Sequence, residues 1–130
     1  MSQSVHVSQV MMPGFKKIDG VTRVSEALKL MKENKLNAIL IEPRDDADVF
    51  GILTLKDIAR KVIAQRRKLY ETHVYEIMSK PVLSLPANMP VPYAARLLTN
   101  FNVSYAMVIE SDQVVGLVSL NGIVNNWDLE

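Results

Sequence analysis

The sequence predicts an α/β (mixed α+β) chain built from two β-α-β-β-α repeats packed with pseudo-twofold symmetry. Three observations carry that expectation: an internal repeat, helical spacing of apolar residues once in each copy, and a short apolar strand pair after each helix. Val7 and Met11 recur as Val74 and Met78, an offset of 67 (74 − 7). The same offset relates Val24 to Val91, Ala27 to Ala94 and Leu30 to Leu97. After the loop 43–48 it becomes 65 (116 − 51), pairing Gly51, Leu55 and Ile58 with Gly116, Leu120 and Ile123. The repeats are therefore expected over residues 1–70 and 71–130.

Each copy opens on an extended segment, 13–18 or 81–85. A helix follows, because Val24, Ala27, Leu28 and Met31 hold i, i+3, i+4, i+7 spacing, as do Val91, Ala94, Ala95 and Leu98. Thr22 and Asn88 are placed to cap these helices, Pro90 and Pro92 are tolerated near a first turn, and Asn34 and Asn37 are stop signals. Apolar strands are expected over 38–42 and 105–110. Acidic turns lead to second strands over 49–53 and 114–118. These run into helices starting near Leu55 and Leu120, the first long and basic to about Tyr70, the second short and ending near Trp127. Neither half buries enough apolar surface alone. Packing the two together implies a cleft, a favoured place for small molecules.

Composition narrows the function. The 130 residues carry a net charge of +1, so nothing global favours nucleic acid or a membrane surface. With no cysteine, thiolate metal ligands, cysteine nucleophiles and disulfides are all excluded. The first residues lack the basic and apolar regions of a signal peptide, and no apolar run approaches the about 20 residues of a membrane span. A cytoplasmic protein is expected. There is no phosphate-binding Gly-Lys-Ser/Thr loop and no dinucleotide glycine motif. His6 and His73 have no evident acid–base or metal partner. Asp45, Asp46 and Asp48 lack calcium-loop spacing and read as a solvated turn. No nucleophile–base or metal constellation exists, so catalytic and metal residues are expected to be none.

The residues that carry chemistry lie where the second strand of each copy enters its helix. Gly51-Ile52-Leu53-Thr54-Leu55-Lys56-Asp57-Ile58 recurs as Gly116-Leu117-Val118-Ser119-Leu120-Asn121-Gly122-Ile123. Thr54 and Asp57 fall in a first helical turn, where free N–H groups and the positive dipole end favour phosphate. A carboxylate there can accept from two ribose hydroxyls. Thr and Asp are equally ordinary capping residues, and the motif alone leaves both roles open.

With Val7-x-x-Val10-Met11 and Val74-x-x-Ile77-Met78 opening the copies and this motif given twice, the chain resembles a tandem cystathionine-β-synthase (CBS) domain pair, or Bateman module, over nearly its whole length. The resemblance implies a stand-alone regulatory module that is no enzyme. It would sense an adenosine-containing nucleotide (AMP, ADP or ATP, in some members NAD or S-adenosylmethionine) between the repeats and signal to an effector protein. It also implies a homodimer, to which an apolar surplus at Leu30, Leu97 and Leu98 adds weight. The family's sites combine the Thr-x-x-Asp of one copy with the extended segment and first central strand of the other. Carried over, the better site joins Thr54 and Asp57 to Val82, Leu83, Val103, Ser104, Tyr105 and Met107. Val82 and Val103 read equally as core, and Tyr105 either stacks on a purine or is a buried strand tyrosine. The second site, from Ser119 with Phe15, Lys16, Leu36, Asn37 and Leu40, departs from the pattern because Gly122 stands where the carboxylate belongs. The alternative reading is a structural or dimerisation module with no nucleotide.

Overall fold

A computed structural model describes residues 5–128; the first four residues, on which the leader reading partly rests, and the last two lie outside the described residues. Both copies hold the expected order β-α-β-β-α. The first has β1 (Lys17–Ile18), α1 (Val24–Glu33), β2 (Ala38–Ile41), β3 (Gly51–Thr54) and α2 (Leu55–Ile58). The second has β4 (Ser84–Pro86), α3 (Val91–Asn100), β5 (Tyr105–Glu110), β6 (Gln113–Ser119) and α4 (Leu120–Asn125). They form two three-stranded sheets, β1-β2-β3 and β4-β5-β6. In each, the first two strands are parallel, which requires the helical crossover between them, and the last two are antiparallel.

Two compact units result, and they are offset from the sequence repeats 1–70 and 71–130. One is Phe15–Val82; the other joins the described part of Met1–Gly14 to that of Leu83–Glu130. Each repeat lends its opening segment to the unit built by the other. Val7 donates to the Met89 carbonyl and Val5 accepts from Val91, both at 2.9 Å. Val74 donates to Thr22 and Thr72 accepts from Val24, both at 2.8 Å. Val7 is fully buried with Val91, Ala94 and Leu98, and Val74 with Val24, Ala27 and Met31. These valines are the first identities of the repeat, and each fills the core under the helix of the other copy.

That exchange corrects the expected caps. The N-cap residues are Arg23 and Pro90, not Thr22 and Asn88, and neither makes a side-chain cap bond. The free N–H groups of Val24 and Val91 are taken instead by backbone carbonyls of Thr72 and Val5. Asn34 does end α1, its side chain donating to the Leu30 carbonyl at 2.9 Å. The helix faces hold as expected: Val24, Ala27, Met31, Val91, Ala94 and Leu98 are all buried. Leu98 is core, and Leu30 and Leu97 pack partly buried against the cores, so the apolar surplus does not lie there.

The long basic helix to Tyr70 does not form. One α turn, Leu55–Ile58, passes into a π turn, Ala59–Ile63, and the chain reverses at Arg66 with φ 59°. A short 3-10 turn, Leu69–Glu71, follows. The apolar anchors explain this: Ile58 and Val62 are buried, Ile63 is 61% exposed, and no inward residue follows until Leu69 packs on the core. A helix continued through 63–68 would have projected Gln65, Arg66, Arg67 and Lys68 and left Ile63 exposed, burying nothing more.

Glycine matters at the two equivalent places where a backbone meets a methionine. A Cβ on Gly51 would stand 2.8 Å from Met78 Sδ, and one on Gly116 would stand 2.7 Å from Met11 Sδ and 3.0 Å from the Met12 carbonyl. Both methionines belong to the exchanged opening segments. Ser79 pairs with Ile52, and Met12 with Leu117, extending each sheet by one bridge.

Candidate functional site

Thr54 ends β3 in extended conformation and caps α2. Its hydroxyl accepts from the Asp57 N–H at 3.1 Å, while Asp57 Oδ2 accepts from the Thr54 N–H at 3.1 Å and from its hydroxyl at 3.0 Å. This reciprocal capping box satisfies two free donors of the first turn. It also places a buried carboxylate, its side chain 9% exposed, at the strand-to-helix turn. The other oxygen, Oδ1, faces Lys61 Nζ at 3.4 Å. Lys61 in turn donates to the Ile77 carbonyl at 3.0 Å. The i, i+4 spacing of Lys61 from Asp57 is the sequence signal for this pairing.

In the second copy Ser119 caps α4, accepting from the Gly122 N–H at 2.9 Å. Half of the box survives there and the carboxylate half does not. Asn126 donates its side-chain amide to the Gly122 carbonyl at 2.8 Å, an interaction at the far end of a helix that ends at Asn125.

The remaining candidates fall into two groups, each within one unit. With Ser119, the unit containing β4–β6 brings together Leu83, Val103, Ser104, Tyr105 and Met107. The Met107 N–H donates to the Leu83 carbonyl at 2.8 Å, and the Leu120 N–H to the Ser104 carbonyl at 3.0 Å. Tyr105 stands opposite Ser119 across the antiparallel pair. Its ring is partly buried, and that burial pushes the phenol above its ordinary value. Met107 is buried, Ser104 exposed, and Val103 37% exposed, which removes Val103 from the core. Val82 is buried and closes the unit that holds Thr54 and Asp57.

That unit also holds Phe15, Lys16, Leu36, Asn37 and Leu40. Leu40 donates through its N–H to the Lys16 carbonyl, and Leu55 to that of Asn37. Leu40 is fully buried and serves the core.

His6 and His73 each precede a 3-10 turn. His73 stacks on Tyr75 at 5.5 Å between ring centres and lies 3.4 Å from Glu76. Among the described residues no cluster of His, Asp or Glu has the arrangement of a metal site, and no helix is long and apolar enough to cross a membrane. In the acidic turn Asp48 is no free solvated carboxylate. It accepts from Lys80 Nζ at 2.7 Å and from the Arg44 N–H at 2.9 Å.

Comparison with known proteins follows the two copies closely. The CBS domain family model matches residues 7–64 and again 74–127. A CBS domain-containing mitochondrial protein of Arabidopsis thaliana, CBSX3, is 27% identical over 94% of the chain, and the chain spans 64% of that protein's length. A hexameric CBS-CP12 protein from bloom-forming cyanobacteria superposes with a TM-score of 0.90 and 34% identity, over 96% of this chain and 69% of that one. The CBS domain pair of protein MJ0100, solved in complex with 5′-methylthioadenosine and S-adenosyl-L-methionine, gives a TM-score of 0.76 and 27% identity, over 93% of this chain and 98% of that one.

Proposed function

We propose that this chain, which belongs to the CBS-domain family, is a non-catalytic cytoplasmic sensor. It binds an adenosine-containing ligand of the AMP, ADP or ATP class and reports its presence to an effector protein. The observation that carries the reading is the buried Asp57 carboxylate, held by Thr54 at the first turn of α2. An anionic acceptor with restricted solvent access suits a vicinal ribose diol, because charge-assisted bonds are the stronger ones. A family member that binds two adenosine ligands supports the ligand class. In this reading Thr54 and Asp57 hold the ribose, with Val82 a further contact of the same unit.

Calorimetric titration with AMP, ADP, ATP and S-adenosylmethionine tests the proposal. Micromolar binding of one of them, weakened by removing the 2′ and 3′ hydroxyls, is the expected outcome. No binding of any would favour the second reading, an assembly module. That reading draws on two observations: the Thr54–Asp57 pair is already a complete cap, and the cyanobacterial relative is hexameric.

A further inference from the structure

Lys61 touches two parts of the chain that the sequence keeps apart. Its Nζ lies 3.4 Å from Asp57 Oδ1 and donates to the Ile77 carbonyl at 3.0 Å. An ammonium carries three donors, so both partners are served at once with one donor remaining. The ammonium reaches them from a π turn, Ala59–Ile63, a rare local geometry that concentrates at functional positions.

The Ile77 carbonyl sits in a segment with little slack. The Ile77 side chain is buried, Met78 donates to the Val74 carbonyl at 3.0 Å, and Ser79 exchanges two 2.9 Å bonds with Ile52. Ile52 lies two residues before Thr54 on β3. Met78 packs its sulfur against Gly51 on the same strand. The 77–79 segment therefore lies against the strand that ends at the candidate ribose site, and Lys61 ties its backbone to that site's carboxylate.

We propose that Lys61 is a positioning residue for Asp57 and the link by which the ligand state of that carboxylate reaches the 77–79 segment. The proposal rests on reading Thr54 and Asp57 as a ribose site. Without ligand, Lys61 is shared between Asp57 Oδ1 and the Ile77 carbonyl. Ribose hydroxyls that donate to the carboxylate share Oδ1 with the ammonium, whose charge keeps the carboxylate in place to accept them. The ammonium then leans more on the Ile77 carbonyl, and the 77–79 backbone tightens.

Amide hydrogen exchange with and without AMP, joined to binding of AMP and 2′,3′-dideoxy-AMP, tests this in the full chain. In ligand-free Lys61→Met the Met78 and Ser79 amides should exchange at least about fivefold faster, the value of one ordinary hydrogen bond, with the Val91 amide unchanged. Unaltered rates would overturn the tether. Lys61→Met should weaken AMP about tenfold and leave the dideoxy analogue unaffected; equal losses for both would overturn the positioning role. AMP should slow Ser79 exchange in the wild type and less so in Lys61→Met; the same slowing in both would overturn the link. Lys61→Gln, which keeps a donor for Ile77 without the charge, should restore exchange but not AMP affinity. Wild-type protein that binds none of AMP, ADP, ATP and S-adenosylmethionine would overturn the ribose reading and the positioning role together, and the ligand-free exchange would then decide the tether alone; if another of them binds in place of AMP, it and its dideoxy form replace AMP in these arms.

Discussion

At Asp57 the cap and the candidate ligand contact use different oxygens of one carboxylate. Oδ2 is spent on the Thr54 N–H and hydroxyl, and Oδ1 faces Lys61. Two substitutions therefore separate what one cannot. Asp57→Ala loses the box and should cost about 1 kcal/mol of stability. It should also cost at least about tenfold in AMP affinity, since a bond to a charged acceptor is worth about 1.5–3 kcal/mol. Asp57→Asn keeps an oxygen for the Thr54 N–H but loses the charge, so its melting temperature should stay nearer the wild type while AMP binding falls. Thermal melts beside calorimetry read both quantities. An Asp57→Ala protein that melts lower and still binds AMP normally would reduce this residue to a cap.

Among the elements, the sheet edges and the β2–β3 loop make the sharpest claims. Gly51→Ala would force Met78 aside, and Gly116→Ala would meet both the Met11 sulfur and the Met12 carbonyl. Overpacking typically costs about 1–3 kcal/mol. The Gly116 change should be the worse, because a backbone oxygen yields less readily than the end of a methionine. Urea melts of both variants check the order. Adding Met78→Ala to Gly51→Ala should cost less than the two changes summed, since the clash and its partner leave together.

In the β2–β3 loop, hydrogen bonds from Lys80 and the Arg44 backbone hold the Asp48 carboxyl well below the usual carboxylate range. A carboxyl lowered on folding stabilises the protein at pH above its unfolded value, near 4, and that contribution fades as pH falls below it. Glu76, lowered by the His73 backbone and by Arg67, acts in the same direction. Asp48→Asn should therefore flatten the acid limb of a melting-temperature profile below about pH 4, and leave its slope near neutrality unchanged.

For the whole molecule, the departure at Gly122 sets the expected stoichiometry at one adenosine ligand per chain, and calorimetry that returned two equal tight sites would show that the carboxylate does not select. Gly122→Asp tests the converse. The added Cβ would meet Ser119 Oγ at 3.0 Å, a close but adjustable contact, and the new carboxylate would complete the box that Thr54 and Asp57 form in the first copy. Expected is a second, weaker site. For assembly, light scattering should report a dimer of the 14.6 kDa chain. Since Leu98 is core, the apolar surface available for pairing lies elsewhere, at exposed Tyr93, Phe101 and Val124 among others. A species of monomer mass alone would reject the dimer, and one of six chains would align it with the cyanobacterial relative.

Residue order and local chemistry determined the elements themselves: the two copies, the buried faces of α1 and α3, the strand pairs, and the Thr54–Asp57 turn were all legible because periodicity and capping act within a few residues of the chain. Tertiary structure decided what local signals cannot carry. Val7 and Val74 repeat in the sequence, yet nothing near either says that each completes the core under the other copy's helix. Thr22 and Asn88 looked like caps because side chains near a helix start usually fill that role; here distant carbonyls of Thr72 and Val5 occupy the same N–H groups. The basic stretch after Ile58 reads as helix by propensity, and it stops because beyond Val62 no residue turns inward until Leu69, Ile63 standing exposed. The i, i+4 spacing of Lys61 from Asp57 is local, but its bond to Ile77 exists only because the chain returns, after that interrupted helix, to lie beside the strand it had just left.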